Sequence, residues 1–146
     1  MDESTLALTA ARGRIAFGAV ATLAPGLVVR AMTGRRKTLG AEAVFTRLFG
    51  ARDVALGLGT VIALDHGTPV RGWLEAAAVA DAADMVTAVL GQKSLSTNAF
   101  KGTVGIAGSS ALLHVFLSRR LDPAPVAHPG QVESVITGHH EPAVVG

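Results

Sequence analysis

An arginine and an aspartate stand side by side at Arg52 and Asp53, within LFGARDVALGLG (48–59), directly before an apolar, glycine-rich run. Adjacent opposite charges in such a setting can form an acid–base pair, part of a phosphate loop, or a neutralised ion pair inside a helical bundle. Asp81-x-x-Asp84 repeats the theme, with Arg71 and Glu75 upstream on the same side at helical pitch. That spacing could serve a metal, but no histidine or third carboxylate joins it on the same helical turn. Gly57-x-Gly59 is followed by Ile62 where the dinucleotide fingerprint needs a third glycine, and no strand precedes it. Ser109 and Ser110 have no histidine–acid pair beside them and read as hydroxyls bonding within their helix or to a neighbour. His114, alone in an apolar helix, reads as a hydrogen-bonded packing residue. His128, His139, His140 and Glu141 fall in a proline-rich tail, where a built metal site is not expected. No catalytic constellation emerges, and no metal or cofactor is expected.

The elements that must position these charges are unusually apolar. Charged residues make up 16% of the 146, against roughly 25% in ordinary soluble domains. Mean hydropathy is +0.44. There is no cysteine, which excludes disulfides, thiolate nucleophiles and sulfur-ligated zinc. A net charge of +2, with the basic residues spread along the chain, gives no nucleic-acid surface. The N-terminus opens on Asp2 and Glu3, so the first apolar run reads as a spanning helix rather than a signal peptide.

Four such runs are expected as transmembrane helices, near 13–32, 43–65, 70–91 and 100–119, with one domain over 1–121. The fold class expected is all-α, a four-helix transmembrane bundle with a flexible or extended tail over 122–146. Twenty residues at 1.5 Å each match a hydrocarbon layer of about 30 Å. Arginines at 14 and 30 bracket the first run and can snorkel to its two edges. Pro25-Gly26 predicts a kink inside it. A soluble four-helix bundle competes, favoured by the three acids of the third run. Against it, the first and fourth runs lack the wide polar face of a soluble surface helix. The cluster Arg35-Arg36-Lys37 favours a cytoplasmic first loop.

Charges inside a bilayer turn toward the bundle, because a lipid-facing carboxylate costs several kcal/mol. An interior network of Arg47, Arg52, Asp53, Glu75, Asp81 and Asp84 is therefore expected, with Arg52 reaching Asp81 or Asp84. It either fixes helix register or lines a polar cavity for protons or a ligand headgroup. Ala51, Ala55, Gly59 and Ala63 recur every four residues and, with Gly105 and Ser109, predict close helix packing.

FTRLFGARDVALGLG followed by RGWLEAAAVADAADMVTAVL resembles a group of small four-helix membrane proteins of actinobacteria, DoxX-like in general character, with no established activity. The likeness covers roughly residues 13–118. It implies that Arg52, Asp53 and either Asp81 or Asp84 are the group's characteristic charges. The function expected is a multi-pass protein of the cell membrane acting as a non-catalytic accessory subunit of a larger membrane complex. Its partners would be the lipid bilayer and another membrane protein or further copies of itself, with no nucleic acid. The alternative is a small carrier, or a lipid- or quinone-binding protein, that uses the interior charges.

Overall fold

A computed structural model describes residues 2–121, and over that range the chain is all-α. The expected tail, with His128, His139, His140 and Glu141, lies outside the described residues. Helix α1 spans Glu3–Leu23, α2 Pro25–Thr33, α3 Gly40–Asp65, α4 Arg71–Leu90 and α5 Thr97–Leu121. A 3-10 turn at Gln92–Ser94 precedes α5.

The first run departs most from its expected limits of 13–32. Asp2 starts α1 early: its carboxylate accepts the Thr5 backbone N–H at 2.6 Å, which satisfies a free donor of the first turn. The helix then passes through Arg12 and Arg14 instead of starting there. Pro25 ends it, because proline offers no N–H and its ring crowds the preceding turn. Ala24 leaves helical geometry at φ −130°, ψ 58°, and Pro25 opens α2 at a position where it is tolerated. The expected kink is a break. Helix α2 closes on Gly34, whose φ of 74° suits glycine. At the start of α3, Glu42 accepts the Leu39 N–H at 2.9 Å and also holds Arg35.

Two helix pairs make up the molecule: α1 packs chiefly on α3, and α4 on α5. Along the first pair, Gly18 faces Gly50, Ala11 faces Gly57, and Ala7 and Ala63 share a cluster, so the two helices run antiparallel. The backbones nearly touch. A Cβ on Gly50 would lie 2.5 Å from the Gly18 carbonyl oxygen, and one on Gly57 would lie 2.8 Å from that of Ala11. Between the pairs, Ala7, Ala63, Val70, Leu74 and Leu117 form an apolar cluster at one end. At the other end the Ser96 N–H donates to the Met32 carbonyl at 3.2 Å.

Burial is inverted relative to a water-soluble bundle. Small side chains fill the interior, and Leu74 and Leu117 are the largest fully buried ones among the described residues. The outer surface carries Phe45 (69% exposed), Leu48, Val79 (70%), Leu90 (82%), Ile106 (73%) and Leu112. Helices α1 and α5 are long and apolar enough to cross a membrane by length and composition.

The predicted packing residues divide. Gly59 and Ala63 are buried, and a Cβ on Gly59 would run into the Trp73 ring of α4. Ala51, Ala55, Gly105 and Ser109 are exposed instead of packed. The face of α3 turned toward α1 carries Gly50, Asp53, Gly57 and Thr60, roughly 100° round from the Ala51–Ala55 line at 3.6 residues per turn. The Ser109 hydroxyl donates back to the Gly105 carbonyl at 2.7 Å, within its own helix.

Candidate functional site

Arg14 of α1 sits at the centre of the molecule. It shares a helix face with the buried Ala7, Ala11, Gly18 and Ala21, so it points into the interior. One guanidinium nitrogen donates to Asp53 Oδ1 at 2.8 Å, and the other donates to Asp81 Oδ1. A single side chain thereby joins α1 to α3 and α4. All three side chains are less than a tenth exposed.

On α4, Asp81 is the hub. Its Oδ2 accepts the Ser110 hydroxyl at 2.7 Å and lies 3.2 Å from His114 Nδ1. That nitrogen also lies 2.9 Å from the Ser110 carbonyl oxygen. Both neighbours are acceptors, so the geometry assigns the hydrogen to Nδ1. Ser110 and His114 are four apart and share the buried face of α5 with Ala107 and Leu117.

Arg52 completes the cluster from α3. It binds Asp84 with both terminal nitrogens, at 3.0 and 2.7 Å, the bidentate fork that suits a carboxylate. It also donates to Asp53 Oδ1 at 3.2 Å. Its guanidinium lies 4.5 Å from the centroid of the Phe49 ring, within cation–π range. Charges thus alternate along Asp84, Arg52, Asp53, Arg14 and Asp81, and the chain ends on His114. Each carboxylate faces a guanidinium, which offsets the cost of removing both from water.

Compared with protein families, curated proteins and solved structures, the chain finds no match.

The site therefore rests on its own geometry. Of the charges expected inside, Arg52, Asp53, Asp81 and Asp84 come together. Arg47 is exposed near the start of α3, outside the cluster. Glu75 is exposed too, and pairs with Arg71 four residues earlier at 2.7 Å. Both lie toward helix ends, where a long charged side chain can keep its head at the surface instead of turning inward. Three members were not expected in this network: Arg14, which the sequence places at a helix edge, Ser110, expected to bond within its helix or to a neighbour, and His114, expected as a hydrogen-bonded packing residue. The available signal was shared periodicity, since Arg14 falls in register with the small residues of α1 and His114 with Ser110 and Leu117.

Serine, histidine and aspartate meet here, but in an order unlike a nucleophilic triad. A triad places the imidazole between hydroxyl and carboxylate, so that one ring nitrogen can take the hydroxyl proton. Here hydroxyl and imidazole both donate to the same carboxylate, and the ring nitrogen nearest the hydroxyl already carries hydrogen. Ser110 is held, not activated. Asp81 and Asp84, the pair spaced for a metal, are each bonded to an arginine instead.

Proposed function

We propose that this chain is an integral membrane protein whose four long helices cross the bilayer as a bundle. The observation that carries this reading is the inverted burial, with leucine, phenylalanine, valine and isoleucine outside and alanine, glycine and ion pairs inside. In water such a surface would aggregate; against lipid tails it is the ordinary solvated face. Helices α3 and α4 are too charged to look like spans alone. Their aspartates and Arg52 are engaged inside, and they offer the bilayer Val44, Phe45, Leu48 and Ile62, and Val79, Val86 and Leu90. The resemblance to small actinobacterial four-helix membrane proteins belongs to this proposal, through Arg52, Asp53 and the aspartates of α4.

Within the membrane the chain serves as a non-catalytic accessory subunit that packs against a larger complex. The interior charges are engaged with one another, and Ala51, Ala55 and Gly105 leave short-side-chain patches on the outside where a neighbouring helix can approach closely. The end bearing Arg30, Arg35, Arg36 and Lys37 faces the cytoplasm by the positive-inside tendency.

Fractionation with an alkaline carbonate wash tests the membrane reading; recovery of the chain in the soluble fraction without detergent would end it. The absence of native cysteine makes single-cysteine mapping clean. Val79→Cys should resist a water-soluble maleimide, His66→Cys should label in intact cells, and Arg36→Cys only after lysis. For the subunit role, detergent purification followed by mass spectrometry should recover a stoichiometric membrane partner. A co-purifying lipid or quinone with no protein partner would favour a carrier instead.

A further inference from the structure

The two ends of the molecule differ in charge. Arg30, Arg35, Arg36, Lys37, Lys93 and Lys101 gather at the α2 end, where Glu42 is the one acid among the described residues. At the opposite end, Arg12, Arg71, Arg119 and Arg120 are matched by Asp2, Glu3, Asp65 and Glu75. The break at Ala24 and Pro25 lies at the basic end and leaves an open notch of about 350 Å³, lined by Ala24, Gly26, Leu27, Arg30 and Arg36. Arg35 is held by Glu42, whereas Arg30 and Arg36 make no ion pair with any described residue. Leu27 (63% exposed) lines it, and Leu23 (82%) immediately precedes the break in the chain.

We propose that this notch binds the phosphate headgroup of an anionic phospholipid, with Arg30 and Arg36 as its cationic ligands. The proposal rests on the membrane reading above. A guanidinium presents planar N–H donors that match phosphate oxygens, and two of them left without protein carboxylates form a ready anion site. The exposed leucines beside them supply the other half of the match. An acyl chain lies against Leu23 and Leu27 while its phosphate meets the arginines, which is the usual partition of an amphipathic helix at an interface. A free phosphate would use the arginines but leave the leucines without a role, so the site is assigned to a lipid.

The test titrates a short-chain phosphatidylglycerol into the full chain in nonionic detergent and follows the thermal unfolding midpoint. Saturable stabilisation is expected, with little from the matching phosphatidylcholine. At about 1 kcal/mol per basic residue near an anionic surface, Arg30→Gln with Arg36→Gln should weaken apparent binding about thirtyfold. Each single change should weaken it about fivefold, which keeps the test open if the double variant folds poorly. Arg12→Gln, at the charge-balanced end, should leave binding unchanged. Equal stabilisation by both lipids, in a protein that needs detergent to stay in solution, would overturn the site and leave the membrane reading intact. Equal stabilisation by inorganic phosphate at the same concentration would overturn the lipid assignment. A chain soluble without detergent would remove both readings together.

Discussion

The seam between α1 and α3 and the seam between the two helix pairs hold the molecule together by different means. Along α1 and α3 the contact is backbone against backbone, through Gly18, Gly50 and Gly57 with alanines between them. Such a seam depends on what is missing from the side chains, and its gain is dispersion spread over many weak contacts. Between the pairs the middle of the contact is polar, through Arg14 to Asp81 and Arg52 to Asp84, while Asp53 holds both arginines from inside the first pair. Those bonds are few, directional and specific. The glycine seam therefore sets how close two helices come, while the charge cluster sets which pair meets which and at what register. Losses should be graded along the first seam and concentrated at a few side chains of the second.

Arg14 gives the sharpest break. Removing it leaves Asp53 and Asp81 with a shared cation missing, and both carboxylates are buried. Arg14→Ala should destabilise the protein by about 3–5 kcal/mol, the range for uncompensated buried charge. Adding Asp81→Asn should recover part of that loss, because it removes one of the stranded charges. Chemical unfolding of the two single variants and the double variant measures it. Additive losses would mean that Arg14 and Asp81 do not interact.

The glycine seam should yield less for any one change. A methyl group at Gly50 would press on the Gly18 carbonyl and on Thr22, whose Oγ1 would be 2.6 Å away. Gly50→Ala should cost about 1–3 kcal/mol, the usual range for overpacking. Gly105→Ala makes the control, because a Cβ there meets nothing within 4 Å. Equal losses at the two positions would show that α1 and α3 do not approach this closely.

The same contrast explains what was legible in the sequence. Helical character could be read from the apolar runs, and His66-Gly67-Thr68-Pro69, rich in turn-forming residues, separates α3 from α4. Arg52 reaches Asp84, one of its two candidate partners, because Asp81 and Asp84 share a face whatever the neighbours do. Arg14 was not legible, since an arginine at the edge of an apolar run can snorkel outward or turn inward with the same local sequence. Only the partner carboxylates of α3 and α4 decide between the two. The register of α3 was hidden for a similar reason. Ala51-Ala55-Gly59-Ala63 and Gly50-Asp53-Gly57-Thr60 are both compact stripes, and in the first half of α3 the backbone of α1, which the sequence of α3 does not contain, selects Gly50 and Asp53 over Ala51 and Ala55. The start of α1 was missed because residues 3–12 are polar enough to resemble a loop, while the Asp2 cap extends the helix through them.

At the outer edge of the polar seam, Arg52 should matter less than Arg14. Its side chain is 34% exposed, against 8% for Arg14. A double-mutant cycle of Arg52→Ala with Asp84→Asn should give a coupling of about 1 kcal/mol, the upper end of the range for ion pairs open to solvent. A coupling as large as that of Arg14 with Asp81 would mean that the polar seam has no graded interior. Glu75→Gln, in an exposed pair outside the cluster, should leave stability unchanged and marks the zero of the scale.

The smallest effect belongs to neither seam and tests whether α1 begins where its cap places it. The Thr5 N–H holds the Asp2 carboxyl below its ordinary value of about 3.9. A lowered folded-state pKa means that the capped helix end is favoured above the ordinary carboxyl value. That preference is lost as pH falls through the lowered one. Protonation then weakens the acceptor, and the first turn of α1 should fray without disturbing the glycine seam, which starts farther along. In an NMR titration of the protein, the Thr5 amide shift should follow Asp2 and level off below its pKa, while amides near Gly18 stay fixed. Asp2→Asn keeps an acceptor without the charge and should flatten the Thr5 curve. A Thr5 shift that ignores pH in the parent protein would place the start of α1 elsewhere, and a Gly18 shift that moves with it would mean that the helix end and the seam unfold as one unit.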